Sequence, residues 1–318
     1  MTLEESLDGQ GIWEVDPFYR RPSSLTALGE RQPGRYESFA YDIRNATDPK
    51  FFFTEDDVEG ALRRFTPNPS SVTNEPSKMW RMLYDDGYKH EYLVMTPYNN
   101  TYNETTDTEI PAAGGTFRWS DNITEGRESA SQYFQNTEGI DFRDGILFFV
   151  SKEQKELFAL DFDLMTYKVS STANGAFSEP DQIVSIFASS NRERMNLEEH
   201  IIYFTEDGGS DRSGIHARDM YGRYLTILES VTPVPDNGQD ETTGALAIRA
   251  FHVMKSGATL MHLIPLAGLA FSPDRSRMYF ALQKGGVLYE VRREDGYAFD
   301  GIHLDIKYHA NTTYVNRR

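Results

Sequence analysis

The sequence predicts an all-β fold, a β-propeller of six blades with an incomplete first blade, spread over one domain at 1–318. Three observations carry that expectation. Strand–turn–strand units recur along the chain, no long segment shows the 3.6-residue periodicity of an amphipathic helix, and an acidic residue tends to stand just before the first apolar strand of a unit.

The elements follow in chain order. Gly11-Ile12-Trp13-Glu14-Val15 alternates like a strand that closes a unit, so the natural beginning is expected upstream of Met1. Glu37-Ser-Phe-Ala-Tyr-Asp42 opens a unit that continues through Phe51-Phe-Phe-Thr-Glu-Asp56 and Gly60-Ala-Leu-Arg-Arg-Phe65. Residues 77–96 supply a further blade turning at Tyr84-Asp-Asp-Gly87. Residues 97–125, rich in Thr, Asn and Gly up to Gly115, read as an exposed inter-blade loop, and Glu125 to Phe134 as a short helix with a thin apolar face. The next unit runs from Glu138-Gly-Ile-Asp-Phe142 through Ile146-Leu-Phe-Phe-Val150 to Glu156-Leu-Phe-Ala-Leu-Asp161. Another runs from Pro180-Asp181-Gln-Ile-Val184 through Ile201-Ile-Tyr-Phe-Thr-Glu-Asp207 to Gly214-Ile-His-Ala-Arg-Asp219. The last runs from Gly268-Leu-Ala-Phe-Ser-Pro-Asp274 through Arg277-Met-Tyr-Phe-Ala-Leu282 to Gly286-Val-Leu-Tyr-Glu-Val291. Residues 245–267 break the pattern and read as an insertion extruded from the blade, or as a helix packed on its surface; Arg249, His252, Lys255 and His262 interrupt them too often for a membrane span.

Composition removes several functions. Forty-nine acidic against 32 basic side chains leave a formal charge of −17, the wrong sign for tracking nucleic-acid phosphates or an anionic membrane. With no cysteine there is no disulfide scaffold, thiolate zinc site, iron–sulfur cluster or thiol nucleophile. The seven histidines lack metalloprotease spacing, and neither Gly-x-Ser-x-Gly nor a phosphate-binding glycine loop occurs. The N-terminus shows no signal peptide, whereas Asn-x-Ser/Thr acceptors at Asn45, Asn99, Asn103, Asn122 and Asn311 point towards secretion, or simply towards turns.

The acids at the unit openings carry the chemical argument. In a propeller the innermost strand of every blade lines the central channel, so equivalent positions converge on one axis. Glu37, Glu138, Asp181 and Glu241 hold such positions. Carboxylates gathered there repel one another unless cations neutralise them, and an all-oxygen ligand set suits calcium or another hard cation. The plainer alternative is that each acid caps its own turn.

In order along the chain, these residues resemble the PhoX-type alkaline phosphatases and their eukaryotic PhoX-like relatives. Thr2-Leu3-Glu4-Glu5 is similar to the family's Thr-Cys-Glu-Glu, Gly34-Arg35-Tyr36-Glu37 to its Gly-Arg-Phe-(x-His)-Glu, and Thr54-Glu55-Asp56-Asp57 to its Thr-Gly-Asp-Asp. Asn136-Thr137-Glu138-Gly139 stands where the family has Arg-Pro-Glu-Trp, Pro180-Asp181 where it has Pro-Asp, and Glu241 with Gly268-Leu-Ala-Phe-Ser-Pro-Asp274 where it has Glu-x-x-Gly-x-x-Phe-Ser-Pro-Asp. The resemblance implies a secreted, metal-dependent phosphomonoesterase. Glu37 and Glu138 would be iron ligands, Glu4, Asp56, Asp181 and Glu241 calcium ligands, and a phosphate monoester or other small anion the ligand. Two positions depart from the pattern: Leu3 replaces the iron-binding cysteine and Asn136 the phosphate-contacting arginine. Calcium is therefore the expected ion and iron the doubtful one, and a catalytically inactive, calcium-binding propeller that serves as an interaction module stays open beside the enzyme.

Overall fold

The structure is a computed structural model that describes residues 3, 11–15, 20, 22–32, 34–73, 75, 81–99, 101–103, 108–110, 113–171, 177, 179–187, 200–206, 214–219, 224–230, 248–250, 266–282 and 287–299. Strands dominate it. The chain divides into two compact units, Met1–Ser170 and Ser171–Arg318.

The first unit contains β1 (Trp13–Glu14), β2 (Ser24–Leu25), β3 (Tyr36–Asp42), β4 (Lys50–Glu55), β5 (Arg63–Thr66), β6 (Lys89–Pro97), β7 (Thr101–Asn103), β8 (Thr108–Ile110) and β9 (Gly114–Ser120). The helix α1 (Ile123–Tyr133) follows, then β10 (Thr137–Arg143), β11 (Ile146–Ser151), β12 (Glu156–Asp161) and β13 (Thr166–Ser171). Nine of these strands form one sheet in the order β10-β11-β12-β13-β9-β6-β5-β4-β3. Its two end strands, β10 and β3, lie against each other without ladder pairing, so the sheet curls until it nearly closes. The result is a pair of four-stranded blades, β3–β6 and β10–β13, with inner strands side by side and outer strands joined through β9.

Local chemistry explains the pieces. Between β10 and β11 a two-residue Asp144-Gly145 loop has both φ angles positive, 47° and 91°, the conformation that a tight hairpin needs and that Asp-Gly adopts readily. The 97–125 stretch, expected as loop, holds β7, β8 and β9, and β9 pairs with both β6 and β13. Gly114 and Gly115 permit it: a Cβ on Gly115 would fall 2.2 Å from the Thr96 carbonyl oxygen. Asn122 caps α1 by accepting the Thr124 N–H at 3.0 Å. The helix seats on β6 through Gly126, whose missing side chain leaves room for Tyr92, and Ser129, whose hydroxyl accepts the Met95 N–H at 2.9 Å. Beneath lies an aromatic core in which Phe52 stacks on Phe142 at 5.7 Å and Phe149 on Phe158 at 4.8 Å.

The second unit holds β14 (Pro180–Phe187), β15 (His200–Glu206), β16 (Gly214–Asp219), β17 (Tyr224–Ser230), β18 (Ile248–Ala250), β19 (Leu266–Phe271), β20 (Arg277–Leu282) and β21 (Val287–Arg292). β14 to β18 make an antiparallel sheet in sequence order, and β19 to β21 make another. Ile186, Tyr203, Ile215, Met278 and Phe280 share one core between them. Within 245–267, Ile248–Ala250 pairs with β17 as an edge strand and Leu266–Ala267 begins β19; the rest of that stretch lies outside the described residues. Among the described residues no helix is long and apolar enough to cross a membrane.

Candidate metal centre

Glu37, Glu138 and Asp181 each occupy the second position of the first strand of a blade, in β3, β10 and β14. Register explains why that position matters. Along β3, Tyr36 pairs with Glu55 and the next aligned pair is Phe39 with Phe53, so Glu37 and Ser38 together oppose Thr54 alone. The same two-against-one step places Glu138 and Gly139 opposite Val150, and Asp181 and Gln182 opposite Thr205. Each is a β-bulge, and a bulge re-aims the side chain it carries away from the regular pleat.

The first unit shows the consequence. Glu37 and Glu138 each bring a carboxylate oxygen to within 4.8 Å of the other, although the residues lie 101 positions apart in sequence. At an effective dielectric constant of 20 two such charges repel by about 3 kcal/mol, so their approach needs a fixed backbone and nearby positive charge. Both are present. The Thr54 hydroxyl accepts the Ser38 N–H at 3.1 Å and donates to the Glu138 carbonyl at 2.6 Å, tying the two bulges together. Thr137 doubles the link: its hydroxyl donates to the Glu55 carbonyl at 3.1 Å and accepts the Glu55 N–H at 3.2 Å. One such positive charge is Lys152, whose Nζ lies 3.2 Å from Glu138 Oε1. Glu138 itself is buried.

Around this pair the neighbouring acids have other work. Glu55, facing Tyr36 in register, forms a buried ion pair with Arg63 at 2.6 Å, and Arg63 also reaches Glu30 at 3.2 Å. Burial pushes the Glu55 carboxyl up and Arg63 opposes that; burial also drives the Tyr36 phenol to about 12. Asp56 is held by the Asn136 amide, which donates to its Oδ1 at 2.8 Å, and Asn136 takes a left-handed φ of 49° to do so.

Of the six sequence-predicted ligands, the first unit brings Glu37 and Glu138 together. Asp56 lies on the adjoining turn, bonded to Asn136. Asp181 holds the matching bulge of the second unit, buried, with Thr205 accepting the Gln182 N–H at 2.9 Å as Thr54 accepts that of Ser38. Glu4 and Glu241 lie outside the described residues. Leu3 packs against the apolar cluster of Ile12, Leu28, Tyr36 and Phe53. In the sequence Thr54 stands only as the start of the Thr54-Glu55-Asp56-Asp57 run, with no sign of its link to Glu138, and Lys152 carries no site signal. The repeated Phe-Thr-Glu-Asp of 53–56 and 204–207 was the available signal for Thr54; nothing in the sequence pairs Lys152 with Glu138.

The curled pair of four-stranded blades, each opening on a bulged acid, defines the class of protein: a β-propeller-like fold. Comparison with solved structures agrees. Pseudomonas fluorescens PhoX, in complex with the transition-state analogue vanadate, superposes with a TM-score of 0.55 over 92% of this chain and 58% of that one, at 12% identity. The chain thus spans less than two thirds of that structure's length, and at this identity the likeness establishes the fold. A nidogen–laminin complex superposes with a TM-score of 0.38 at 12% identity, over 84% of this chain and 79% of that one, too loosely to bear on the fold. No family model matches the sequence, and no curated protein matches it.

Proposed function

We propose that this chain is a PhoX-like, six-bladed propeller that binds calcium at its acid-lined end and hydrolyses phosphate monoesters there. The carrying observation is the convergence of Glu37 and Glu138 on bulged strand openings joined by Thr54. Hard carboxylate oxygens such as those of Glu37 and Glu138 fit calcium. A bound divalent ion would supply charge neutralisation to a phosphoryl group and acidity to a water. The chain's own residues would fix the carboxylate positions through Thr54 and Thr137, keep apolar bulk at Leu3, and hold Asp56 through Asn136. Iron fits less well, because Leu3 is packed in an apolar cluster and offers no ligand atom.

The alternative is a catalytically inactive, calcium-binding interaction module, secreted like the enzyme. It is favoured by one observation: Asn136 is uncharged and its amide is committed to Asp56, so the position offers no cationic clamp for a phosphate. Hydrolysis of an aryl phosphate by the purified protein, with calcium and with chelator, separates the two. Calcium-dependent turnover that disappears in Glu138→Gln supports the enzyme. Calcium binding without turnover supports the module.

A further inference from the structure

The three bulged openings align residue by residue, and the partner strand of the second breaks the repeat in charge. Tyr36, Thr137 and Pro180 precede the acids and pair with Glu55, Ser151 and Glu206. The residue after each of those partners is Asp56 in the first case, Lys152 in the second and Asp207 in the third. In sequence, two of the units thus carry an acid where the Glu138 unit carries a lysine. The sign change falls beside the acid pair, since Lys152 Nζ lies 3.2 Å from Glu138 Oε1.

The turn that bears Lys152 is braced. The Lys152 N–H donates to the Asn136 carbonyl at 2.9 Å and the Ser151 hydroxyl donates to the Gln135 carbonyl at 2.6 Å, so the turn is stitched to the two residues that lead into Thr137 and Glu138. The Gln154 N–H returns to the Ser151 hydroxyl at 3.2 Å and closes the turn. Lys152 is also only 29% exposed, so its charge acts on Glu138 with less screening than that of a free surface lysine.

From this geometry we infer that Lys152 is the resident counter-cation of the acid pair and sets how strongly, and how many, divalent ions the site takes. The inference rests on the metal-binding reading and deepens it. An ammonium ion-paired to Glu138 Oε1 competes with an incoming divalent ion for the same oxygen and adds like-charge repulsion to any ion near it. With Lys152 in place the Glu37–Glu138–Lys152 group carries a formal charge of about −1; without it, about −2. Lys152 is a specificity-determining residue on this account, acting through Glu138.

Calorimetric titration of the full chain with calcium and separately with manganese, in wild type, Lys152→Gln, Lys152→Met and Lys152→Arg, tests it. Lys152→Gln and Lys152→Met should bind about tenfold or more tightly, about 1.4 kcal/mol, or gain an additional ion, while Lys152→Arg should stay near wild type. A thermal melt confirms that each variant is folded, and the two neutral variants guard against loss of either one. Equal or weaker binding in the folded neutral variants overturns the inference and leaves the metal site standing. No binding by any variant overturns both.

Discussion

Replacing Thr54 with valine removes one hydroxyl and keeps its shape, which isolates the link between the two acid-bearing strands. Thr54 is fully buried, accepts the Ser38 N–H at 3.1 Å and donates to the Glu138 carbonyl at 2.6 Å. A valine side chain there could do neither, leaving a carbonyl and an N–H without that partner. The buried Glu138 carbonyl left so costs about 1–3 kcal/mol and the part-buried Ser38 N–H adds less, for a sum of about 2–4 kcal/mol. Serine keeps the hydroxyl and loses a methyl, a cost of about 1 kcal/mol. The assay is urea unfolding followed by tryptophan fluorescence. Trp13, Trp80 and Trp119, the three tryptophans of the chain, all belong to the first unit, so the signal reports the unit that holds the link. The same two variants titrated with calcium should separate, Thr54→Val binding about tenfold more weakly and Thr54→Ser close to wild type. A Thr54→Val protein within about 0.5 kcal/mol of wild type, or a serine variant as damaged as the valine one, would refute the reasoning.

Three further outcomes follow from the same physics. His90, packed among Phe53, Phe65 and Tyr88, is pushed down to about 4, mainly by burial, so the unfolded chain takes up its proton first. Its contribution is intact above about pH 6.5 and is lost as pH falls towards 4, up to about 3 kcal/mol; His90→Phe should flatten that limb of a stability-versus-pH curve. Glu156 is pushed up to about 7 by burial, so its ionisation disfavours the fold as pH rises from about 4.5 through 7. Discounted for partial exposure, Glu156→Gln should stabilise by about 1 kcal/mol at pH 8 and by little at pH 4, read from paired urea titrations. Gly126→Ala should destabilise by about 1–3 kcal/mol, since the new Cβ would meet the Tyr92 Cβ at 2.4 Å and α1 must shift from β6; a neutral result in the same unfolding assay would deny that close seating.

The legible parts of the molecule are those fixed by neighbours in sequence. Ile146 to Val150 and Ile201 to Phe204 are short apolar runs beside turn residues, and both are inner-sheet strands; Asp144-Gly145 announces its hairpin. Glu37, Glu138 and Asp181 were legible as unit openings because the repeat itself marks the position. Strand β9 was hidden, because two glycines and a threonine open it and read as loop until Thr96 and Tyr167 are seen closing around them. The bulges were hidden as well, since a two-against-one register is a property of a strand pair and leaves no mark on either strand alone. Lys152 was invisible for the same reason: its charge gains meaning only once Ser151 and the Gln135–Asn136 carbonyls bring its turn to Glu138.

The acid pair at the blade openings is proposed as a cation site. Calcium titration of the purified full chain beside Glu37→Gln and Glu138→Gln tests it most directly. Wild type should bind saturably and each variant should lose at least tenfold in affinity, with the fold retained. Wild-type protein that binds no calcium, or variants that bind it as well as wild type does, would contradict it.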